Sequence, residues 1–324
     1  MISSMKTLVE CVPNFSEGRD SSVIDAIAAA IRSVPAILLL DRSSDPDHNR
    51  SVITMAGERQ AVLEAALRAV GKAAELIDLR KHLGEHPRIG ATDVLPFVPV
   101  SGVALEDCAA LARTAGREIW QRYKIPIYFY EAAATRPERA NLATVRKGGF
   151  EALREAAQHD PNRVPDIGKP RLHPSAGAVA VGARKFLIAY NINLDTHDLE
   201  IARRIARSIR HSSGGQPFVK AIAVNLRSRG LAQVSMNLTD FEQTPLQSVF
   251  ARVKSEAARH GVAIAGSEIV GLIPQRALES TSAGDLLLEN FSVDQVFENR
   301  LQSAENNSRA QPSPASAAPA KTRA

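Results

Sequence analysis

The stretch HLGEHPRIG, residues 82–90, sets two histidines four apart and follows the second with a proline and an arginine. On a continuous helix that spacing would stack both imidazoles on one face, where they could hold zinc. Pro87 opposes this, because the residue before a proline is pushed out of the α region. His86 is therefore expected at an extended or turn position, not one turn above His82, and no metal is expected here. His82, behind Arg80 and Lys81, reads as a surface or core residue with a satisfied ring. His86 stands between Glu85 and Arg88 in a bend stiffened by Gly84, Pro87 and Gly90. Catalytic groups concentrate on such rigid loops, and an imidazole there could take up a proton and return it near neutral pH.

A second stretch, DIGKPRLHPSAGAVAVGARK (166–185), holds glycines, prolines and a run of small residues. It reads as a linker between two halves of the chain. Its small side chains would also let the main chain approach a flat ligand, with Lys169 and Arg171 offering charge to a carboxylate. It lacks the G-x-x-x-x-G-K-[ST] spacing of a phosphate loop.

The elements that must position these groups follow one order twice. LVECVPNF (8–15) predicts a strand, SSVIDAIAAAIRS (21–33) a helix and AILLLD (36–41) a strand. RSVITMAG (50–57), a helix over about 58–78 and VLPFVPV (94–100) complete a β-α-β-β-α-β set. The set repeats with a strand over 186–194, a helix over 197–210, the runs VKAIAVNLRS and LAQVSMNL about a turn at Arg229 and Gly230, a helix over 245–260 and a strand over 262–270. The fold class expected is α/β, more closely α+β, with two tandem ferredoxin-like βαββαβ subdomains. Their bounds are read as 1–182 and 183–302. Residues 303–324 contain no Val, Ile, Leu or aromatic residue and read as a disordered tail.

Alternation within the strands puts Glu10 and Asn14 opposite Val9, Cys11 and Phe15. Asn191 and Asn193 oppose Tyr190, Ile192 and Leu194, while Gln233, Ser235 and Asn237 form a third polar row. These rows are either solvated sheet faces or the two walls of a ligand groove or tunnel between the sheets. In the second case Asn14, Asn191 and Asn237 are possible substrate contacts, since an amide both donates and accepts.

Composition narrows the function classes. The 40 basic and 35 acidic residues leave +5, of which 3 basic and 1 acidic follow Gln302. That weak, unclustered excess with 5% aromatics argues against nucleic acid and suits a small acidic ligand. No stretch has the roughly 20 apolar residues of a membrane span, and the first residues lack a signal peptide's apolar centre, so a cytoplasmic protein is expected. Cys11 and Cys108 are too few for a disulfide framework and read as inert buried thiols.

Four segments, LVECVPNFSEGRD, GEHPRIGATDVLPFVPV, HPSAGAVAVGARKFLIAYNINL and LAQVSMNLTDFEQTPL, together resemble glutamate formimidoyltransferase, the transferase part of formiminotransferase-cyclodeaminase. The resemblance runs from about Leu8 to about Gln302. It implies two related subdomains with a folate tunnel between them, a homodimer, and tetrahydrofolate as co-substrate with no metal. The reaction it implies moves a formimidoyl group from N-formimidoyl-L-glutamate to N5 of tetrahydrofolate, releasing L-glutamate in histidine degradation. It makes His86 catalytic, as general acid and base. Its folate-contacting segment falls on Gly168, Lys169, Pro170, Arg171, Leu172, His173, Pro174, Ser175, Ala176 and Gly177. Animal members generally carry a tryptophan where Ala176 stands. The cyclodeaminase half has no counterpart here, so a separate cyclodeaminase is expected to act on the product. Asp41, closing AILLLD, is the candidate carboxylate for holding the cationic amidine, or else a turn cap. A formyl-donor folate transferase and a non-catalytic folate-binding protein are the competing readings.

Overall fold

The computed structural model describes residues 7–84 and 87–310, which form two sheets carrying eleven strands, together with eight α-helices. In the first sheet β1 (Leu8–Cys11) and β2 (Asn14–Phe15) are two pieces of one path, interrupted at Val12 and Pro13. A proline cannot donate to a ladder, so the strand breaks there. Both pieces run between β4 (Arg50–Gly57) and β5 (Thr92–Ser101), antiparallel to each. Strand β3 (Leu38–Asp45) covers the outer side of β4. Helices α1 (Ser21–Arg32) and α2 (Arg59–Leu76) pack on the apolar side, against Val9, Cys11 and Phe15. Asp20 starts α1, its carboxylate accepting from the Ser22 amide at 2.9 Å.

The segment read as a linker holds a strand. β7 (Val179–Ala183) pairs in parallel with β5 on one side and with β6 (Ile127–Glu131) on the other. Its run of small and β-branched residues is buried throughout, as a central parallel strand requires. Helices α3 (Leu105–Tyr123), α4 (Leu142–Val145) and α5 (Gly149–His159) accompany these two added strands.

The second sheet has β8 (Ile188–Leu194), β9 (Val219–Leu226), β10 (Leu231–Leu238) and β11 (Ile264–Val270) in the order β11-β8-β10-β9, all antiparallel. Helices α6 (Leu199–Ile209) and α7 (Leu246–Arg259) cover the side bearing Tyr190, Ile192 and Leu194. On α6, Ala202, Ile205, Ala206 and Ile209 recur at helical spacing and are buried, while Arg203, Arg204 and Arg207 face outward. The same four-strand order is present in the first sheet: β3, β4, β1 and β5 are its second, third, first and fourth strands.

Helix α8 (Phe297–Ala310) corrects the expectation that the tail becomes disordered from residue 303. Phe297 and Leu301 bury against Leu8, Leu38 and Leu40, each contributing about 1.5–3 kcal/mol. The helix anchored on that first turn continues through residues that bury little; residues 311–324 lie outside the described residues. No helix among the described residues is long and apolar enough to cross a membrane.

Candidate active site

The HLGEHPRIG stretch follows α2 and is fastened on both flanks. His82 Nε2 is 3.0 Å from the Asn49 carbonyl oxygen, and the Asn49 amide donates to the Leu83 carbonyl at 3.0 Å. The ring is buried, which lowers its pKa, and Nδ1 has no partner among the described residues. Arg88 donates to the His82 carbonyl at 3.1 Å and pairs with Glu151 at 2.9 Å. Glu85 and His86 themselves lie outside the described residues.

Beyond the bend, the Ile89 amide donates to Asp93 Oδ1 at 2.9 Å, and Ser16 Oγ donates to the Gly90 carbonyl at 2.7 Å. Asp93 is fully buried, and its other oxygen accepts from Arg50 and Arg146 at 2.8 Å each. Burial alone would raise this carboxyl group, but the two guanidiniums and the Arg50 and Ile89 hydrogen bonds more than reverse that and hold it below the usual value. Asp93 thus ties the bend to two cations of a cavity.

The two glycine-containing motifs meet. Ala178 donates to the Ile89 carbonyl at 2.9 Å, Ala91 to the Ala176 carbonyl at 2.9 Å and Leu79 to the Ser175 carbonyl at 2.9 Å. A side chain on Gly90 would come within 1.9 Å of the Ala178 oxygen, and one on Gly177, where φ is +70°, within 2.1 Å of the Ile89 oxygen. Smallness at these two positions serves the crossing of two main chains.

A cavity of about 360 Å³ is lined by both sheets, on the sides opposite α1–α2 and α6–α7, and by Leu142 and Ala143 of α4. Its first-sheet floor includes Val12, Val52, Val94 and Pro96, rimmed by Glu10, Asn14, Asp41, Arg50 and Arg146. Across from them stand Ala189, Lys220, Asn237 and Val270 of the second sheet, with Arg184 and Phe186 at the join. Asn14 is fixed, its oxygen accepting from Arg50 at 2.7 Å and its amide donating to the Val12 carbonyl at 2.7 Å. Asp41 is paired with Thr54 in the β3–β4 ladder, but its carboxylate has no hydrogen bond or ion pair among the described residues.

The sequence-predicted contacts therefore divide. Asn14, Asp41 and Asn237 line this cavity; Asn191 does not, and instead donates to Glu268 at 3.0 Å within the second sheet's polar network. In the segment 168–177, Lys169, Arg171, Leu172, His173 and Pro174 line a separate cavity of about 590 Å³ with Trp120 and Lys124. Leu172, Ala176 and Gly177 are buried, and His173 Nδ1 accepts from the Ala176 amide at 3.0 Å.

The sequence singles out neither Arg50, Asp93 nor Arg146, and places Glu10 on a polar strand face without marking it as a site residue. Asp93 carried a signal, being a carboxylate directly after the bend in a strand otherwise apolar. So did Glu10, between Val9 and Cys11. Glu10 is 2% exposed, and burial, partly offset by Arg184, pushes its carboxyl group up to about 7. The thiols of Cys11 and Cys108 are raised by burial, that of Cys108 to about 12, so neither is a nucleophile at neutral pH.

Comparison with known proteins gives consecutive matches to the formiminotransferase domain's N-terminal subdomain over residues 8–184 and to the formiminotransferase domain over residues 189–302. A Streptococcus pyogenes protein named glutamate formimidoyltransferase is 48% identical over 298 residues, covering 92% of this chain and 99% of that protein. A Thermoplasma acidophilum protein of the same name is 45% identical over 302 residues, covering 93% and 99%. The mouse formimidoyltransferase-cyclodeaminase is 46% identical over 285 residues, covering 86% of this chain and 52% of that protein. With consecutive domain matches over residues 8–184 and 189–302 and relatives 45% and 48% identical along nearly their whole length, the chain belongs to the formiminotransferase family.

Proposed function

We propose that the chain is a glutamate formimidoyltransferase, carrying the formimidoyl group from N-formimidoyl-L-glutamate to N5 of tetrahydrofolate and releasing L-glutamate. The observation that carries this reading is end-to-end similarity to two proteins of that name, with no region of either left uncovered beyond about one part in a hundred. As a one-carbon transferase it serves histidine degradation, its product passing to a separate cyclodeaminase. It works in the cytoplasm as a homodimer and uses no metal.

The two halves are read as ferredoxin-like subdomains dividing near residue 182, since both carry the same four-strand order. The cavity between their open faces is read as the reaction chamber. Its lining has four cations, Arg50, Arg146, Arg184 and Lys220, against three carboxylates, Glu10, Asp41 and Glu131, a balance suited to substrates bearing glutamate carboxylates. Segment 168–177 is read as the folate-contacting surface outside it, with Lys169 and Arg171 for the carboxylate tail.

N5 attacks the amidine carbon, His86 accepts the N5 proton, and the same imidazole returns it to the glutamate nitrogen as that carbon–nitrogen bond breaks. Such relay is typically worth about 10²- to 10⁴-fold. Holding amidine and folate in contact supplies roughly 7–11 kcal/mol more. Asp41, an unpaired carboxylate facing the cavity, holds the amidinium. The test is purified protein with tetrahydrofolate and either formimidoylglutamate or formylglutamate. Turnover of the first is expected, and turnover of the second alone would replace this reading with a formyl transferase.

A further inference from the structure

Glu10 belongs to β1, held by ladders to β4 on one side and β5 on the other, with Ala56 and Val98 as its partners. A residue so placed has a fixed Cα and a side chain directed out of the sheet. Its carboxylate faces the cavity and is nearly inaccessible to bulk solvent. Among the described residues no donor reaches it, neither a hydrogen bond nor an ion pair within 4 Å. A buried carboxylate left without donors is costly, and such a group in a native fold calls for an explanation. The nearby charges are Arg184, Glu131 and Lys220, with Lys220 Nζ 4.0 Å from Glu131. They leave no net negative field there to attract a cation.

What the position offers is geometric: two acceptor oxygens at the edge of an apolar floor made by Val12, Val94 and Pro96, with Tyr130 beside it. A flat ring lying on that floor with two adjacent N–H groups would satisfy both oxygens at once. The 2-amino-4-oxopyrimidine ring of a pterin has such an edge, at N3 and the 2-amino group. At the opposite pole Arg50 joins Asn14 to Asp93, which also accepts from the Ile89 amide. Glu10 and Asn14 are four positions apart, at most roughly 13 Å of chain. That leaves the second ring and N5 directed toward Asn14 and Arg50.

We propose that Glu10 accepts the N3–H and 2-amino hydrogens of the pterin and so sets which way the folate lies in the cavity. The proposal rests on tetrahydrofolate being the co-substrate, and Glu10 is assigned as a binding and orienting residue.

The experiment compares the wild type with Glu10→Gln, measuring affinity for 5-formyltetrahydrofolate and its 2-desamino analogue, and KM for each substrate. The wild type is expected to bind the 2-amino form at least tenfold more tightly than the 2-desamino form. Glu10→Gln should lose that preference, with KM for tetrahydrofolate raised tenfold or more and KM for formimidoylglutamate changed less than twofold. Glu10→Asp, which keeps the charge, should retain part of the preference and serves if the glutamine variant folds poorly. Equal discrimination in wild type and variant, or a rise confined to the KM of the formimidoyl donor, would overturn the assignment. If the wild type discriminates through Glu10 yet turns over no formimidoyl donor, the assignment stands and the proposed reaction fails.

Discussion

The two sheets share one strand order, yet their open faces treat polar groups in opposite ways. On the second sheet the amides satisfy each other: Gln233 donates to Asn193 at 2.9 Å and to Glu268 at 3.0 Å, and Asn193 donates to Glu289, which pairs with Arg229. On the first sheet Glu10 and Asp41 face the cavity with no partner among the described residues, and Asp93 is buried between two arginines. A polar network that closes on itself has nothing left for a ligand, whereas a buried charge without donors is an unmet demand. The first half therefore brings unpartnered carboxylates to the cavity, and the second contributes Lys220 and Asn237 to its lining.

That contrast can be broken by substitution. The largest effect is expected from His86→Ala, which should lower kcat at least 10²-fold while tetrahydrofolate still binds; single-turnover kinetics with an equilibrium binding measurement would check it. Full turnover would move the chemistry away from the first half's bend.

Asp93→Asn comes next. Removing the charge leaves Arg50 and Arg146 without their shared counter-ion, at a cost of about 3–5 kcal/mol in urea unfolding. Because the Asp93 carboxyl group is held below its ordinary value, its stabilisation is present above about pH 3.8 and is lost as pH falls through the folded value. The variant should accordingly lose part of the wild type's acid sensitivity.

Glu10 has the opposite sign. Its carboxyl group is raised from 4.5 to about 7 by burial, against the opposing pull of Arg184, so its contribution to stability is lost as pH rises between those values. Without ligand, Glu10→Gln should be more stable than the wild type above pH 7, by on the order of 2–3 kcal/mol, and the difference should vanish near pH 4.5. Thermal melts across that range would show it, and a difference independent of pH would mean that the carboxyl group titrates normally.

The smallest effect is expected from Asn191→Ala on the second sheet. It loses one hydrogen bond to Glu268, worth about 1 kcal/mol, and should leave both KM values within twofold. A larger KM change would extend the substrate site onto the closed network.

Periodicity and punctuation make much of this legible from the chain itself. The apolar rows of β1, β8 and β10, the helix over 21–32 and the repeated element order follow from local rules, because burial on one face imposes period 2 on a strand and period 3.6 on a helix. The four motifs carry the family in the same way, each being continuous in sequence.

Contacts between distant segments were decided only by the tertiary structure. Strand β7 looks like a linker until β5 and β6 close on either side, since its small residues carry no alternation to read. Helix α8 depends on Leu8, Leu38 and Leu40, more than 250 residues earlier. Polar alternation could not separate Asn237, which faces the cavity, from Asn191, which is satisfied within its own sheet. Side-chain type and spacing tell which face a group occupies, but whether it is already paired depends on what the fold brings opposite it.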